Sequence, residues 1–139
     1  MSWILLGLGS AFFAALVAIF GKIGIASVDS TLATTLRSII MAAFLLIVAV
    51  SFGKFEHLSS VSNRSWIFIA LSGIAGALSW LCYFLALKNG PVGGVAALDR
   101  TSVVMAALLA AFFLGEAFTW KTGLGAVLVA AGAVLFALK

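Results

Sequence analysis

Residues that bind metals, form disulfides or carry charge are scarce in this chain of 139 residues. There is one cysteine, one histidine and one proline. A single cysteine cannot form an internal disulfide, and one histidine with one cysteine cannot by themselves build a zinc or iron site. We therefore expect no metal and no cofactor. Charged residues make up only 9% of the chain, whereas soluble domains average about 25%.

Hydrophobic residues dominate what remains. They make up 65% of the chain, and the mean hydropathy is +1.31. These values exclude a soluble domain, a disordered chain and a disulfide-rich scaffold, and they predict a multi-pass protein of the cell (inner or plasma) membrane with lipid around it. The net charge of +4 is expected at the membrane boundaries, so no nucleic-acid partner is predicted.

The apolar stretches predict five membrane-spanning helices, because each crossing needs about 20 mostly apolar residues. The fold class is thus an all-α membrane protein with one domain, residues 1–139. The first stretch lacks a preceding basic region, so we expect a retained span and not a cleaved signal peptide. The five predicted spans are residues 3–21, 32–52, 66–87, 93–114 and 122–138.

Membrane insertion is least favourable for the fourth span, because Asp99 and Arg100 lie inside it. Two central charges cost roughly 5–7 kcal/mol, and the nine Leu, Ile, Val and Phe residues between Val95 and Leu114 return roughly 4 kcal/mol. We keep the crossing because the charges lie off-centre and can pair with neighbouring helices. A four-span chain with this segment on the membrane surface is the alternative.

Tryptophan positions support five crossings. Spans 1, 3 and 5 then start at one membrane face, called side A here, and Trp3, Trp66 and Trp120 stand at those three starts. This is the arrangement of an interfacial aromatic belt. Trp80 is the exception, because it lies inside span 3.

Polar and amphipathic side chains from three spans fall at one depth. At 1.5 Å per residue they lie about 7–12 Å below the other membrane face, side B. Ionisable residues inside a membrane usually face the bundle interior and suggest a functional site. The candidate residues for substrate binding or coupling are Arg37 in span 2, Trp80 and Tyr83 in span 3, and Asp99, Arg100 and Ser102 in span 4.

Within this layer we expect Asp99 to pair with Arg37, since sequence neighbours such as Asp99 and Arg100 point in different directions on a helix. Two interpretations stay open. The pair either belongs to a hydrated substrate chamber or only holds helices in register. Trp80 and Tyr83 either wall that chamber or pack between helices.

Four stretches resemble the EamA family of the drug/metabolite transporter superfamily, and the order in which they occur is the specific part. The short five-span bacterial and archaeal branch is the nearest in length. The stretches run from Lys22-Ile-Gly-Ile to Ala33-Thr-Thr-Leu-Arg37, then Tyr83-Phe-Leu-Ala-Leu-Lys-Asn-Gly-Pro91, then Leu98-Asp-Arg-Thr-Ser-Val-Val104, and from Leu114-Gly-Glu116 to Ala131-Gly132.

The resemblance implies a transporter of small metabolites or drugs, built as one half of a ten-helix inverted-repeat scaffold. One departure matters. Four-span multidrug exporters of the superfamily carry a glutamate in span 1, whereas span 1 of this chain has no acidic residue. Exchange of cations for protons through such a glutamate is therefore not implied.

A half-scaffold implies a homodimer. Lysine and arginine are balanced between the faces, which predicts dual topology and an antiparallel pair of copies, because charge asymmetry normally sets orientation. A fixed orientation is the alternative. Small residues of span 5 offer a dimer seam at Gly125, Val129 and Gly132. The balanced cations are Lys54, Arg64 and Lys121 at side A, and Lys22, Lys88 and Lys139 at side B.

The leading hypothesis is a secondary transporter of a small-molecule substrate, anionic or zwitterionic, working by alternating access. Counting Arg37, Asp99 and Arg100, the polar layer carries a net positive charge, which favours such a substrate. A non-transporting assembly or regulatory subunit and a flippase for lipid-linked substrates are the alternatives. No motif typical of an enzyme occurs, so we do not expect the protein to be an enzyme.

Overall fold

The computed structural model describes residues 2–138, and every predicted span is helical. Lys139, counted above among the cations of side B, lies outside the described residues. No strand occurs within 2–138. The elements are α1 (Trp3–Gly24), α2 (Ser30–Ser51), a 3-10 helix (Lys54–Ser60), α3 (Asn63–Asn89), α4 (Val92–Asp99), α5 (Ser102–Leu114) and α6 (Trp120–Ala137).

Five stretches are long and apolar enough to cross a membrane. They are α1, α2, α3, the stretch Val92–Leu114 that contains α4 and α5, and α6. This result confirms the all-α, five-span prediction. Helix ends differ from the predicted ends by a few residues, most clearly in α3, which begins at Asn63. The relation to a second, inverted half stays a prediction.

Helix boundaries follow from local side-chain chemistry. The Asp29 carboxylate accepts the backbone N–H groups of Thr31 and Leu32 at 2.9 and 3.0 Å, so it caps α2. The Thr119 hydroxyl caps α6 in the same way by accepting the N–H of Thr122 at 3.2 Å. At the end of α5, Gly115 adopts a left-handed φ of 68°, which a side chain would strain.

The fourth span differs from the single helix predicted over 93–114, because Arg100 and Thr101 interrupt it. Both residues keep right-handed dihedrals, but the hydrogen bonds tighten to the 3-10 pattern, with Thr101 N–H donating to Leu98 O at 3.0 Å. The Thr101 hydroxyl also donates to Leu98 O, at 2.7 Å. Leu98 O thus accepts both the N–H and the hydroxyl of Thr101 at the point where the regular ladder breaks.

The chain forms two compact units. One comprises the described residues of 1–23 and 89–139, and the other comprises 24–88. In the first unit the start of α4 packs on the end of α6. A side chain at Gly94 would place its Cβ 3.3 Å from Phe136 O and 3.3 Å from Pro91 Cγ, so a larger residue would push these neighbours back by a few tenths of an ångström.

Few side chains are buried within the described residues. Ile25, Phe84 and Leu87 are buried, and so are Ala18 and Ala133. Large apolar side chains are exposed along every spanning helix, as expected of surfaces that meet lipid or another protein chain and not water.

Candidate functional site

The second unit contains an arginine lying against a tryptophan at membrane depth. Cζ of Arg37, on α2, is 3.7 Å from the ring centroid of Trp80, on α3. The ring centroid of Phe84 is 5.5 Å from the same atom. Arg37 lies about 10 Å along α2 from Ser30, at 1.5 Å per residue. The structure therefore brings together two residues that the sequence placed at one depth, and joins them in a cation–π contact.

Arg37 is exceptional among the polar side chains of α2. Thr34, Thr35 and Ser38 each donate a hydroxyl hydrogen to the backbone carbonyl four residues earlier, at 2.7, 2.9 and 2.8 Å. Ser51 does the same at 2.8 Å. Such bonds hide hydroxyl groups within a membrane helix. Arg37 makes no such bond within residues 2–138, and its guanidinium extends to Trp80 on α3 instead.

One nitrogen of Arg37 has no hydrogen bond. Nη1 is buried, and no acceptor for it occurs within residues 2–138. Burying an N–H group without an acceptor costs about 1–3 kcal/mol, and more when the group is charged. The site therefore contains an unsatisfied positive group in aromatic surroundings, which is suited to receive an anion.

The aromatic surroundings come from one face of α3. Trp80 contacts Tyr83 and Phe84 edge to face, with ring centroids 5.5 and 5.8 Å apart. Residues three and four apart share a helix face, so the spacing explains the cluster. Sequence reasoning identified Trp80 and Tyr83 but missed Phe84, which is buried and fixes the Trp80 ring. Its position four residues after Trp80 was the available signal.

The other candidate residues lie in the first unit, around the interruption of the fourth span. Asp99 ends α4 and is half-buried, whereas Arg100 and Ser102 are exposed. Arg37 and Asp99 belong to different units, and their pairing stays a prediction. The candidate residues thus divide into a pair in contact, Arg37 with Trp80, and a group around the fourth span whose partners stay open.

Lysines at side B bind loop carbonyls. Lys22 donates to Gly90 O at 2.9 Å in the first unit, and Lys88 donates to Val28 O at 3.2 Å in the second. Next to Val28, the pKa of Asp29 lies below its ordinary value. The main cause is the backbone N–H of Leu32, followed by the backbone N–H of Thr31 and the charge of Lys88. In the second unit, the Lys88 bond holds the end of α3 against the segment before α2.

The predicted dimer seam is open in the single chain. A Cβ placed on Gly125 or Gly132 would meet no atom within 4 Å, and Val129 between them is half-buried. A cluster of three metal-binding side chains is not found among residues 2–138.

Five apolar helices with an arginine held inside the apolar layer define a multi-pass membrane protein. The model of the EamA-like transporter family matches residues 1–138, and the chain belongs to this family. It is 42% identical over 137 residues to a Sinorhizobium protein described as "Uncharacterized transporter in cobO 3'region", across 99% of this chain and 97% of the relative. No solved structure matches the chain. The chain is thus a membrane transporter, and these likenesses point away from an enzyme.

Proposed function

We propose that this transporter carries a small anionic or zwitterionic metabolite by alternating access. One observation supports this proposal above the others: the Arg37 guanidinium lies on Trp80, with Nη1 buried and no acceptor for it in the part of the chain that the structure describes. A cation held this way in an apolar layer attracts a negative group and repels lipophilic cations. The family supplies the transport function, and the charge at the site supplies the substrate class.

The decisive measurement is solute flux in proteoliposomes, with a panel of small carboxylates, amino acids and lipophilic cations. We expect flux of anions or zwitterions, and we expect Arg37→Gln to abolish it. Arg64→Gln is the matched control, because Arg64 is an arginine in the same unit with a looser aromatic contact, 6.0 Å from Phe68. Flux of lipophilic cations alone, or full flux in Arg37→Gln, would contradict the proposal.

Alternating access predicts that residues beside Arg37 meet water from each side in turn. Cys82, two residues after Trp80, is the chain's only cysteine but points to a different face of α3, so it is first replaced by serine. A new cysteine is then placed at Gly76, four residues before Trp80 and on the same helix face. A membrane-impermeant maleimide should label the cysteine at position 76 in proteoliposomes, and a transported solute should change the labelling rate. Labelling that no transported solute alters would count against access that alternates.

We also propose that Asp99 couples transport to protons, with Arg37 as its partner. If a substrate carboxylate competes for Arg37, the carboxylate of Asp99 loses its counter-ion and takes up a proton more readily. Asp99→Asn should then leave substrate binding in place and remove the response of flux to a pH gradient. Undiminished proton-coupled flux in this variant would remove Asp99 from the coupling role.

For assembly we propose an antiparallel homodimer that joins copies inserted in both orientations. The open glycines of α6 support a close contact between copies, and the balanced lysines and arginines support dual insertion. Paired C-terminal reporters, one active inside the cell and one outside, should both give signal. Strong signal from only one reporter would establish a fixed orientation.

A further inference from the structure

The connection between α2 and α3 contains a short helix with exposed apolar side chains. This 3-10 helix, Lys54–Ser60, follows Gly53, whose left-handed φ of 60° ends α2. Phe55 and Leu58, within the helix, are 45% and 50% exposed, and Phe52, directly before Gly53, is 71% exposed. Neighbouring large apolar side chains that stay exposed outside a membrane span mark an interaction surface.

The 3-10 geometry separates the side chains of this helix by chemistry. Such a helix has about 3 residues per turn, so side chains three apart lie in one row. The position of Glu56 fits this spacing, because a Cβ built on Gly53 would lie 3.8 Å from Glu56 Oε1. The rows are Phe55 with Leu58, Lys54 with His57 and Ser60, and Glu56 with Ser59. An apolar row therefore lies beside a polar row that carries a lysine.

Both ends of the 3-10 helix are tied to side A of the membrane. α2 ends at Ser51 and α3 begins at Asn63, and both helices are long and apolar enough to cross a membrane. Trp66, one turn into α3 and exposed, belongs to the aromatic belt that marks this boundary. At about 2.0 Å per residue the 3-10 helix is only ~14 Å long, and it contacts α2. Its side chains therefore stay close to the boundary between lipid and water.

The lipid headgroup layer is the surface whose chemistry matches these rows. An amphipathic helix in that layer places apolar side chains at the acyl boundary and cations near lipid phosphates. Phe52, at the end of α2, continues the exposed apolar surface of that span toward the 3-10 helix. Lys54 and Arg64 are exposed near the two ends of the connection, and Glu56 is the acidic residue between them. The excess of positive charge favours anionic headgroups over zwitterionic ones.

We propose that the 3-10 helix Lys54–Ser60 is a membrane-surface anchor whose partner is a layer of anionic lipid headgroups. Phe55 and Leu58 insert between the headgroups, and the ammonium group of Lys54 binds lipid phosphate. Because this helix joins α2 to α3, the anchor holds the two helices that carry Arg37 and Trp80 at a fixed depth. The anchor depends neither on the substrate nor on transport, so it goes beyond the proposed function.

Cysteine labelling of the whole chain in proteoliposomes tests the arrangement residue by residue. A membrane-impermeant maleimide reacts with a thiolate in water and not with a thiol buried in lipid. Labelling is followed to its plateau, so that copies inserted the other way change the extent and not the rate. On a Cys82→Ser background, the single variants are Phe55→Cys, His57→Cys, Leu58→Cys and Ser60→Cys. We expect slow labelling at 55 and 58 and fast labelling at 57 and 60.

The charge of the lipid is tested with Leu58→Cys in phosphatidylcholine vesicles with and without phosphatidylglycerol. The anionic lipid should slow the labelling at position 58. Adding Lys54→Gln should then make labelling in anionic vesicles about fivefold faster, the effect of one lysine near an anionic surface. Lys121→Gln is the matched control and should leave the rate unchanged, because Lys121 is an exposed lysine of side A outside this connection.

Equal labelling at all four positions would overturn the anchor, because it would describe a hydrated loop. Protection of positions 55 and 58 that disappears when the protein is diluted in lipid would assign the apolar row to a second copy, and would overturn the anchor as well. A labelling rate that is the same with and without phosphatidylglycerol, or that Lys54→Gln does not change, would overturn anionic headgroups as the partner. The comparison of the two vesicle types uses one variant, so a difference in folding between variants does not affect it.

Discussion

Replacing Arg37 with leucine tests whether this arginine serves function or packing, because the two roles predict opposite signs of the change in stability. If Arg37 only held α2 against α3, its removal would lower the free energy of unfolding. If it is kept for a ligand at the expense of stability, Arg37→Leu should raise that free energy and abolish flux. Active sites commonly show this trade-off.

The magnitude follows from the contacts of Arg37. An arginine at the centre of a membrane helix costs about 2.5–3.5 kcal/mol, an upper bound at this depth. The stack on Trp80 at 3.7 Å returns about 2 kcal/mol when desolvated, which leaves roughly 0.5–1.5 kcal/mol. Leucine contributes about 0.3–0.6 kcal/mol in favour of insertion. Arg37→Leu should therefore stabilise the chain by up to about 2 kcal/mol.

The assay is reversible unfolding in mixed micelles, followed by far-ultraviolet circular dichroism as the denaturing detergent is raised. Arg64→Leu is the matched control, because Arg64 lies at the start of α3, is exposed, and touches its aromatic neighbour only at 6.0 Å. It should change stability by a few tenths of a kcal/mol, as surface substitutions do. A clear loss of stability in Arg37→Leu would refute the reasoning and return Arg37 to a packing role.

Three further predictions concern the helix ends and the packing faces. Gly94→Ala should be less stable than Gly125→Ala by about 1–3 kcal/mol in the same unfolding assay, because only the former meets backbone at 3.3 Å; equal stability would show that α6 yields easily. Since hydrogen bonds hold the pKa of Asp29 below its ordinary value, its contribution to stability is present above that value and lost as pH falls through the folded-state pKa. The free energy of unfolding should therefore fall as the pH is lowered for the native protein, and fall less for Asp29→Asn. An equal fall in both proteins would contradict this. Gly132→Leu should dissociate the proposed dimer in cross-linking and light-scattering measurements, whereas Gly7→Leu, at an equally open glycine of α1, should not; a dimer that survives Gly132→Leu would move the seam elsewhere.

The spans were predictable because lipid imposes a simple rule on the chain. With no water in the hydrocarbon layer, the backbone must satisfy its own hydrogen bonds, and a long apolar run must be helical. The capping positions were predictable for a similar reason, since Asp29 and Thr119 can accept N–H groups that the helix leaves free. Both inferences depend on local chemistry alone.

The interruption of the fourth span could not be predicted in this way. Summed hydrophobicity counts Asp99 and Arg100 as costs but contains no information on backbone geometry. The break coincides with a Thr101 hydroxyl that donates to Leu98 O, the carbonyl that also accepts the Thr101 N–H. A threonine within a helix most often keeps the ladder intact, as Thr34 and Thr35 do in α2. The presence of a threonine at position 101 is therefore not enough to predict that the helix is interrupted there.

The candidate site was half predictable. Counting residues from the helix ends placed Arg37 and Trp80 at one depth, because the rise along a helix is constant. Counting does not give the direction in which a side chain points. The contact between these two residues, and the part played by Phe84, required coordinates.

Two independent exceptions to membrane-protein rules meet in one contact, which is the reason to regard it as a site and not as an accident of packing. The three other tryptophans stand at helix starts, where an aromatic belt belongs, and Trp80 alone lies deep in its span. Four hydroxyl groups of α2 are satisfied by carbonyls of their own helix, whereas Nη1 of Arg37 is a buried donor with no acceptor within residues 2–138. Packing between α2 and α3 would be served better by leucine and phenylalanine, which bury apolar area without a charge. A tryptophan placed under an arginine makes a buried cation tolerable while leaving its N–H groups for a further partner. The anionic or zwitterionic substrate that we propose would account for both exceptions together.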